Sequence, residues 1–503
     1  MGWIATSERQ AAAVGAEVLQ AGGTACDAAI AVAAALTVTE PTSNGLGGDL
    51  FATVHDGREV HALAANGASP RGLPVEAIRA DHTRMPLYGW PTVTVPGQVS
   101  GWGALHQRFG RVPFAELMAP AAALAREGFV VGPVTAAAWA RAARVFDHAP
   151  SWKATFLVDG VAPAAGDRFV ASGHATTLQA LADDGPEAFY GALAEEIVAF
   201  STETGGCLAL EDFTAHRARF VTPLAVDFAG WRVFGMTAPT QGVCALEALG
   251  LLGRPDPGQA VDVHRAIEAI KLAFADTTAT VADPGALRTR PEALLEAAYL
   301  ATRRQGLTER AGPSPAPPGI DGGTVLLCTA DDEGTVASVI QSNFHGFGSG
   351  LVVPELGIAL QNRGAGFTLE RAHPNAIGAG KQPFHTILPG LVLTPEGASP
   401  FGCMGGQMQP QGHVQLVTAL ARGTAPQAAV DAPRWRWLED GRIALERGFP
   451  VDVAEDLAAR GHRLQRDVDP VHFGGAQILW RDGEGFVGGS DPRKDGGVVR
   501  TDP

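Results

Sequence analysis

The sequence predicts an α+β fold in which two β-sheets lie between layers of helices. Two observations carry that expectation. Stretches with apolar residues at helical spacing fill residues 7–21 and 25–37 and most of the alanine-rich region from about 100 to 215. Strand-like runs then recur at 325–330, 335–342, 357–361, 391–393 and 477–480. Helical stretches followed by runs of strands suit a four-layer sandwich. With 503 residues, 46% of them apolar, the chain can bury a large core, and length alone permits two or three domains. No internal repeat is visible.

The elements follow from local chemistry. Helix 7–21 has hydroxyl acceptors for an N-cap at Thr6 or Ser7, and Gly22-Gly23 separates it from helix 25–37. Alanines between residues 28 and 38 suit a closely packed buried helix; this apolar stretch falls short of the ~20 residues that span a bilayer. Residues 50–55 alternate weakly and end at Asp56-Gly57, a hairpin signal. Residues 311–319 (AGPSPAPPG) form a Pro-rich loop that cannot join a sheet ladder, an exposed tether before the run at 325.

Composition narrows the function. A net charge of −15 argues against nucleic acid or an anionic membrane as partner. Five scattered cysteines form no CxxC or Cys/His spacing, so neither a disulfide frame nor a metal site is indicated. Residues 44–49 (NGLGGD) lack the Lys-Ser/Thr ending and GxGxxG spacing of nucleotide loops, and no GxSxG elbow is present. The N-terminus shows no basic region followed by an apolar stretch and a cleavage site. The expected location is therefore cytoplasmic, with export only if a leader precedes Met1.

Gly322-Gly323-Thr324 is the most informative point. A flexible dipeptide delivers a threonine to the head of an apolar strand. Thr324 Oγ could attack the Gly323 carbonyl; hydrolysis of the resulting ester would free the threonine α-amine. That amine titrates near pH 8, roughly, and can serve as base to the hydroxyl of the same residue.

The surrounding blocks make this specific. Residues 324–334 (TVLLCTADDEG), 336–342 (VASVIQS), 346–350 (GFGSG) and 357–362 (GIALQN) resemble the small-subunit start of the γ-glutamyltransferase family of N-terminal nucleophile hydrolases, which includes glutathione hydrolases and related acylases. In order, residues 41–49 (PTSNGLGGD), 95–101 (VPGQVSG), 109–113 (FGRVP), 403–406 (CMGG) and 431–434 (DAPR) resemble further blocks of that family, so the similarity spans nearly the whole chain. The resemblance implies an αββα sandwich. It also implies cleavage at Gly323–Thr324 into a large subunit (1–323) and a small one (324–503) that stay together as one folded unit, with further pairing left open. It implies no cofactor and a small γ-glutamyl or related amide as substrate.

It further implies residue roles. Thr324 is the nucleophile, Ser342 its supporting hydroxyl, and Gly405 and Gly406 the oxyanion donors. His385 and Thr386 occupy the place of two hydroxyl residues that touch the substrate α-carboxylate, and His385 departs from that pattern. Two further departures bear on the acyl group. Gly366 stands where the family's acid pairs the α-ammonium, and Asn66 stands where its arginine binds the α-carboxylate, with Arg71 later. Arg363 offers an anion partner from another direction, unless it is a surface loop arginine. Only residues 368–384 separate Phe367 from His385, too few for the family's long lid, so water has access and hydrolysis is expected to exceed transfer. Two rivals remain: the same chemistry on another acyl group (a glutaryl-type acylase or an oxamate-like amidohydrolase), and an unprocessed, non-catalytic binding protein.

Overall fold

A computed structural model describes residues 1–253, 262–312, 322–483 and 485–502. Residues 313–319 of the Pro-rich loop lie outside the described residues.

Two antiparallel sheets form the centre. The first has seven strands, in the order Gly497–Arg500, Trp3–Thr6, Gly323–Ala330, Thr335–Phe344, Asp49–Asp56, Val60–Ala65 and Arg219–Val221. The second has six: Gly485–Ser490, Gly475–Asp482, Gly397–Met404, Pro389–Thr394, Trp231–Gly235 and Leu224–Phe228. Period-2 alternation sorts the central strand between layers. Val325 and Leu327 pack against helices, whereas Leu326 and Cys328 point at the second sheet, into clusters that include Met404, Ile387 and Leu391. Ser338 Oγ bridges the sheets by donating to the Phe401 carbonyl at 3.0 Å.

Helices cover both outer faces, which completes the αββα sandwich. Ala25–Thr39 lies on the first sheet and is buried along its whole length. A helix apolar all round needs neighbours on every side, and its alanines let them approach closely. Gly242–Leu252, Val263–Thr280 and Met408–Ala421 cover the second sheet. The 100–215 region is helical as expected, including Gln98–Phe109, Phe114–Glu127 and Pro133–Val145. Among the described residues, no helix is long and apolar enough to cross a membrane.

Two local expectations need correction. Thr6 and Ser7 do not cap the first helix. The helix spans Arg9–Gln20, and the Glu8 side chain caps it by accepting from Ala11 N–H. Thr6 is drawn into a strand and Ser7 bonds Glu40 at 2.5 Å, so tertiary partners claim both hydroxyls. The run at 357–361 is not a long strand either: Ile358–Ala359 pairs with Val352–Val353, and Leu360 adds a single bridge to Gly47. The following residues turn away to bring Asn362 and Arg363 inward.

Residues before and after Gly323–Thr324 share one sheet. Thr335–Ser342 pairs with Asp49–Asp56 in eight residue pairs, and Gly323–Ala330 pairs with Trp3–Thr6. Cutting the backbone at 323 would leave these ladders intact.

Candidate active site

Thr324 heads its strand on the face shared with Leu326, between the sheets, and is buried. The adjoining strand carries a bulge: Gln341 pairs with Val325, but Phe344, rather than Asn343, pairs with Gly323. The bulge places Ser342 beneath the Gly323–Thr324 bond. Ser342 Oγ donates to the Gly323 carbonyl at 2.5 Å, accepts from Phe344 N–H at 2.7 Å, and receives Thr324 Oγ1 at 3.3 Å. One donor and two acceptor sites fill the capacity of a hydroxyl. Phe344, at φ 78, holds a left-handed conformation that costs an aromatic residue energy, and such strain gathers at functional sites.

Gly405 (φ 115) and Gly406 (φ 58) follow the Gly397–Met404 strand in conformations that favour glycine. Their carbonyls accept from Met408 N–H, and from Gln409 N–H and Gln241 Nε2. Among the described residues, neither glycine N–H has a protein acceptor. The backbone before Thr324 presses on this turn: a Cβ built on Gly322 would lie 3.3 Å from Gly406 N. Gly322, Gly323, Thr324 and Gly405 all line one cavity of about 320 Å³, within the size range of small-molecule sites.

The four residues expected to bind substrate gather in a second, buried group. Arg363 is fully buried and is not a surface arginine. Its guanidinium stacks 3.4 Å from the Phe344 ring centroid, Nη2 donates to Thr386 Oγ1 at 3.2 Å, and Nε and Nη1 have no protein partner. Asn66 is buried with its Nδ2 unpartnered. His385 packs edge-on to Phe51 and meets Asp49 Oδ2 at 3.1 Å.

Asp49 is the hub of this group, a residue that reading along the chain does not single out. Its Oδ1 accepts from Gly67 N–H, Gly97 N–H and Gln361 Nε2. Asp49 also pairs in register with Ser342, which links it to the nucleophile strand. The available signal was an acid at the end of a glycine-rich segment and the start of a buried strand. Burial pushes the Asp49 carboxyl above the usual carboxylate range, against the pull of Gln361 and of the Arg363 charge. Burial pushes Arg363 down, while Asp49 draws it back up. Burial and the Arg363 charge hold His385 well below the ordinary imidazole value. Ile387 N–H donates to His385 Nδ1 at 3.3 Å. Nε2 therefore carries the ring proton and donates it to Asp49.

Gly366 lies beside this group with no side chain to offer, and a Cβ there would come 2.6 Å from the Phe384 carbonyl oxygen. The short stretch 368–384 packs on the Val75–Asp81 helix, where Arg79 donates to the Ile377 carbonyl and Ser69 to the Gly378 carbonyl.

The geometry has counterparts among known proteins. A sequence model described as Gamma-glutamyltranspeptidase matches residues 11–501. The glutathione hydrolase-like YwrD proenzyme of Bacillus subtilis is 33% identical, covering 97% of this chain and 96% of the relative. The oxamate amidohydrolase proenzyme of Klebsiella pneumoniae is 36% identical, covering 96% and 95%. The crystal structure of a cephalosporin acylase from Bacillus halodurans superimposes with a TM-score of 0.94 at 42% identity, covering 99% of this chain and 95% of the other.

Proposed function

The chain belongs to the γ-glutamyltranspeptidase family, and from that premise we propose that it is a self-processing N-terminal threonine amidase. Its substrates would be γ-glutamyl amides such as glutathione, with transfer of the acyl group to acceptor amines the weaker activity. One observation carries this reading: a single hydroxyl, Ser342, touches both Thr324 Oγ1 and the Gly323 carbonyl oxygen, beside two positive-φ glycines.

In processing, Thr324 Oγ attacks the Gly323 carbonyl carbon, and the Gly323–Thr324 C–N bond breaks to leave an ester and a free α-amine. Ser342 polarises that carbonyl by its hydrogen bond. Water hydrolyses the ester, giving residues 1–323 and 324–503. In turnover, the Thr324 α-amine takes the hydroxyl proton, and Oγ attacks the substrate amide carbon. The negative charge that develops on the carbonyl oxygen is met by Gly405 and Gly406 N–H groups, each worth about 3 kcal/mol in such sites. The C–N bond then breaks, the amine leaves with the proton, and water resolves the acyl-threonine ester. Arg363, Thr386 and Asn66 supply donors for a carboxylate on the acyl group, and His385 and Asp49 hold them in place.

A second reading, the same chemistry on a glutaryl or oxamate-like acyl group, is favoured by Gly366. No acid stands there for an α-ammonium, and the close Phe384 carbonyl leaves no room for one without a backbone shift. Denaturing electrophoresis with mass analysis tests the main proposal: two fragments meeting at Gly323–Thr324 are expected. A chain that stays intact through long incubation would instead favour a binding protein. Matched γ-glutamyl and glutaryl 4-nitroanilides then separate the two acyl readings.

A further inference from the structure

The cavity at Thr324 is walled by features that the acyl chemistry does not use. Val134, Ala138, Ala142 and Val145 recur at helical spacing along Pro133–Val145 and line the cavity as one apolar stripe. Val471, from the proposed small subunit, lines the same cavity. Val145 and Val471 are 42% and 43% exposed. A single exposed valine is ordinary. Two that line one cavity from separate elements, together with Thr324, form a surface for an apolar body.

The charges around this cavity are mostly paired. Lys494 meets Glu40 at 3.1 Å, Arg493 meets Glu446 at 2.6 Å, and the Asp495 carboxylate accepts from the Val134 and Thr135 N–H groups. Arg141 lies in the same apolar stripe, exposed, with no hydrogen bond or ion pair among the described residues. Its guanidinium is an exposed charge open to a ligand.

Two different surroundings therefore lie near Thr324: a buried polar group around Arg363, which stacks on Phe344 opposite Gly323, and an open cavity that includes Arg141. An acyl carbon held at Thr324 Oγ sends its acyl chain one way and its amine the other. We propose that the open cavity is the subsite for the departing amine, and that it favours amines with an apolar or aromatic body carrying an anionic group. The body packs on the Val134–Val145 stripe and Val471, and the anion lies at Arg141. When the C–N bond breaks, this amine takes the proton brought by the Thr324 α-amine and leaves through the open side. The assignment rests on Thr324 being the nucleophile.

The test uses the fully processed enzyme with two substrates of one acyl group, the 4-nitroanilide and the 3-carboxy-4-nitroanilide. The wild-type enzyme is expected to show a kcat/KM about three- to fivefold higher for the carboxylated anilide, the size of a partly exposed ion pair. R141Q should bring that ratio to about one, and R141K should keep most of it. At saturation both substrates pass through the same acyl-enzyme, so kcat should be equal where its hydrolysis is the slow step. Equal kcat/KM in the wild type, or an R141Q change in preference between acyl groups rather than between amines, overturns the subsite. Processed enzyme that hydrolyses neither anilide overturns the amidase reading, and the subsite with it.

Discussion

Ser342 donates its hydroxyl proton to the carbonyl oxygen of Gly323 at 2.5 Å. The same hydroxyl oxygen also receives Thr324 Oγ1 at 3.3 Å. Under the proposed self-cleavage, this contact would polarise the carbonyl that Thr324 attacks.

Replacing Thr324 with Ala should abolish both the two fragments and the amidase activity without unfolding the chain, since only one hydroxyl and one methyl are lost. T324S should still split, more slowly. Fragment masses and a thermal melt check this; a T324A chain that divides at the same bond refutes the nucleophile assignment.

S342A should slow cleavage. A hydrogen bond to a buried group is worth about 1–3 kcal/mol, so the first-order rate should fall by roughly tenfold to a hundredfold. S342T should recover most of it. A time course of fragment appearance from freshly purified precursor measures the rate, and an unchanged S342A rate would remove Ser342 from the processing step.

R363M should weaken turnover of carboxylate-bearing acyl anilides by about 10- to 100-fold in kcat/KM, as expected for one charge-assisted contact. R363K keeps the charge but loses the planar guanidinium over Phe344, so its defect should be nearly as large. A butyryl anilide, which has no carboxylate, serves as the comparison. Equal losses on both substrates would show that Arg363 supports the fold rather than the acyl group.

G405A should harm activity more than stability. At φ 115 any Cβ is strained, and the neighbouring Gly474 Cα would lie only 3.0 Å away, so the turn must shift and its N–H with it. Loss of one oxyanion donor costs about 10²–10³ in kcat. Steady-state kinetics on processed enzyme, beside a melting curve, separates the two effects.

Acid should destabilise the folded chain below pH 6.5. Burial lowers His174 and His216 to about 4. The unfolded chain gains protons near pH 6.5 that these folded histidines refuse until about pH 4, so stability falls across that window as pH drops. Melting temperatures between pH 7 and 4 measure the slope, and H174Q should flatten it. A midpoint that stays level over this range would contradict neutral burial of these rings.

Much of this was legible along the chain. The hairpin at Asp56-Gly57, the helix that starts at residue 25, the strand after Thr324 and the glycines after Met404 each announce themselves within a dozen residues. The first helix shows the limit: Thr6 and Ser7 are good caps in isolation, yet a strand and Glu40 take them first. Asp49 shows it more strongly. Its partners come from residues 67, 97, 361 and 385, and no local pattern joins them.

By itself the sequence determined the family, through short motifs in a fixed order, and the helices and strands that local periodicity and turn chemistry announce. Only the tertiary structure decided that a bulge carries Ser342 under the Gly323 carbonyl, that Arg363 is sealed inside with Asp49, and that the stripe ending at Val145 lines one cavity with Val471 and Thr324. The physical reason is that register, burial and the meeting of distant walls are set by long-range packing, which short-range patterns along a single chain do not encode.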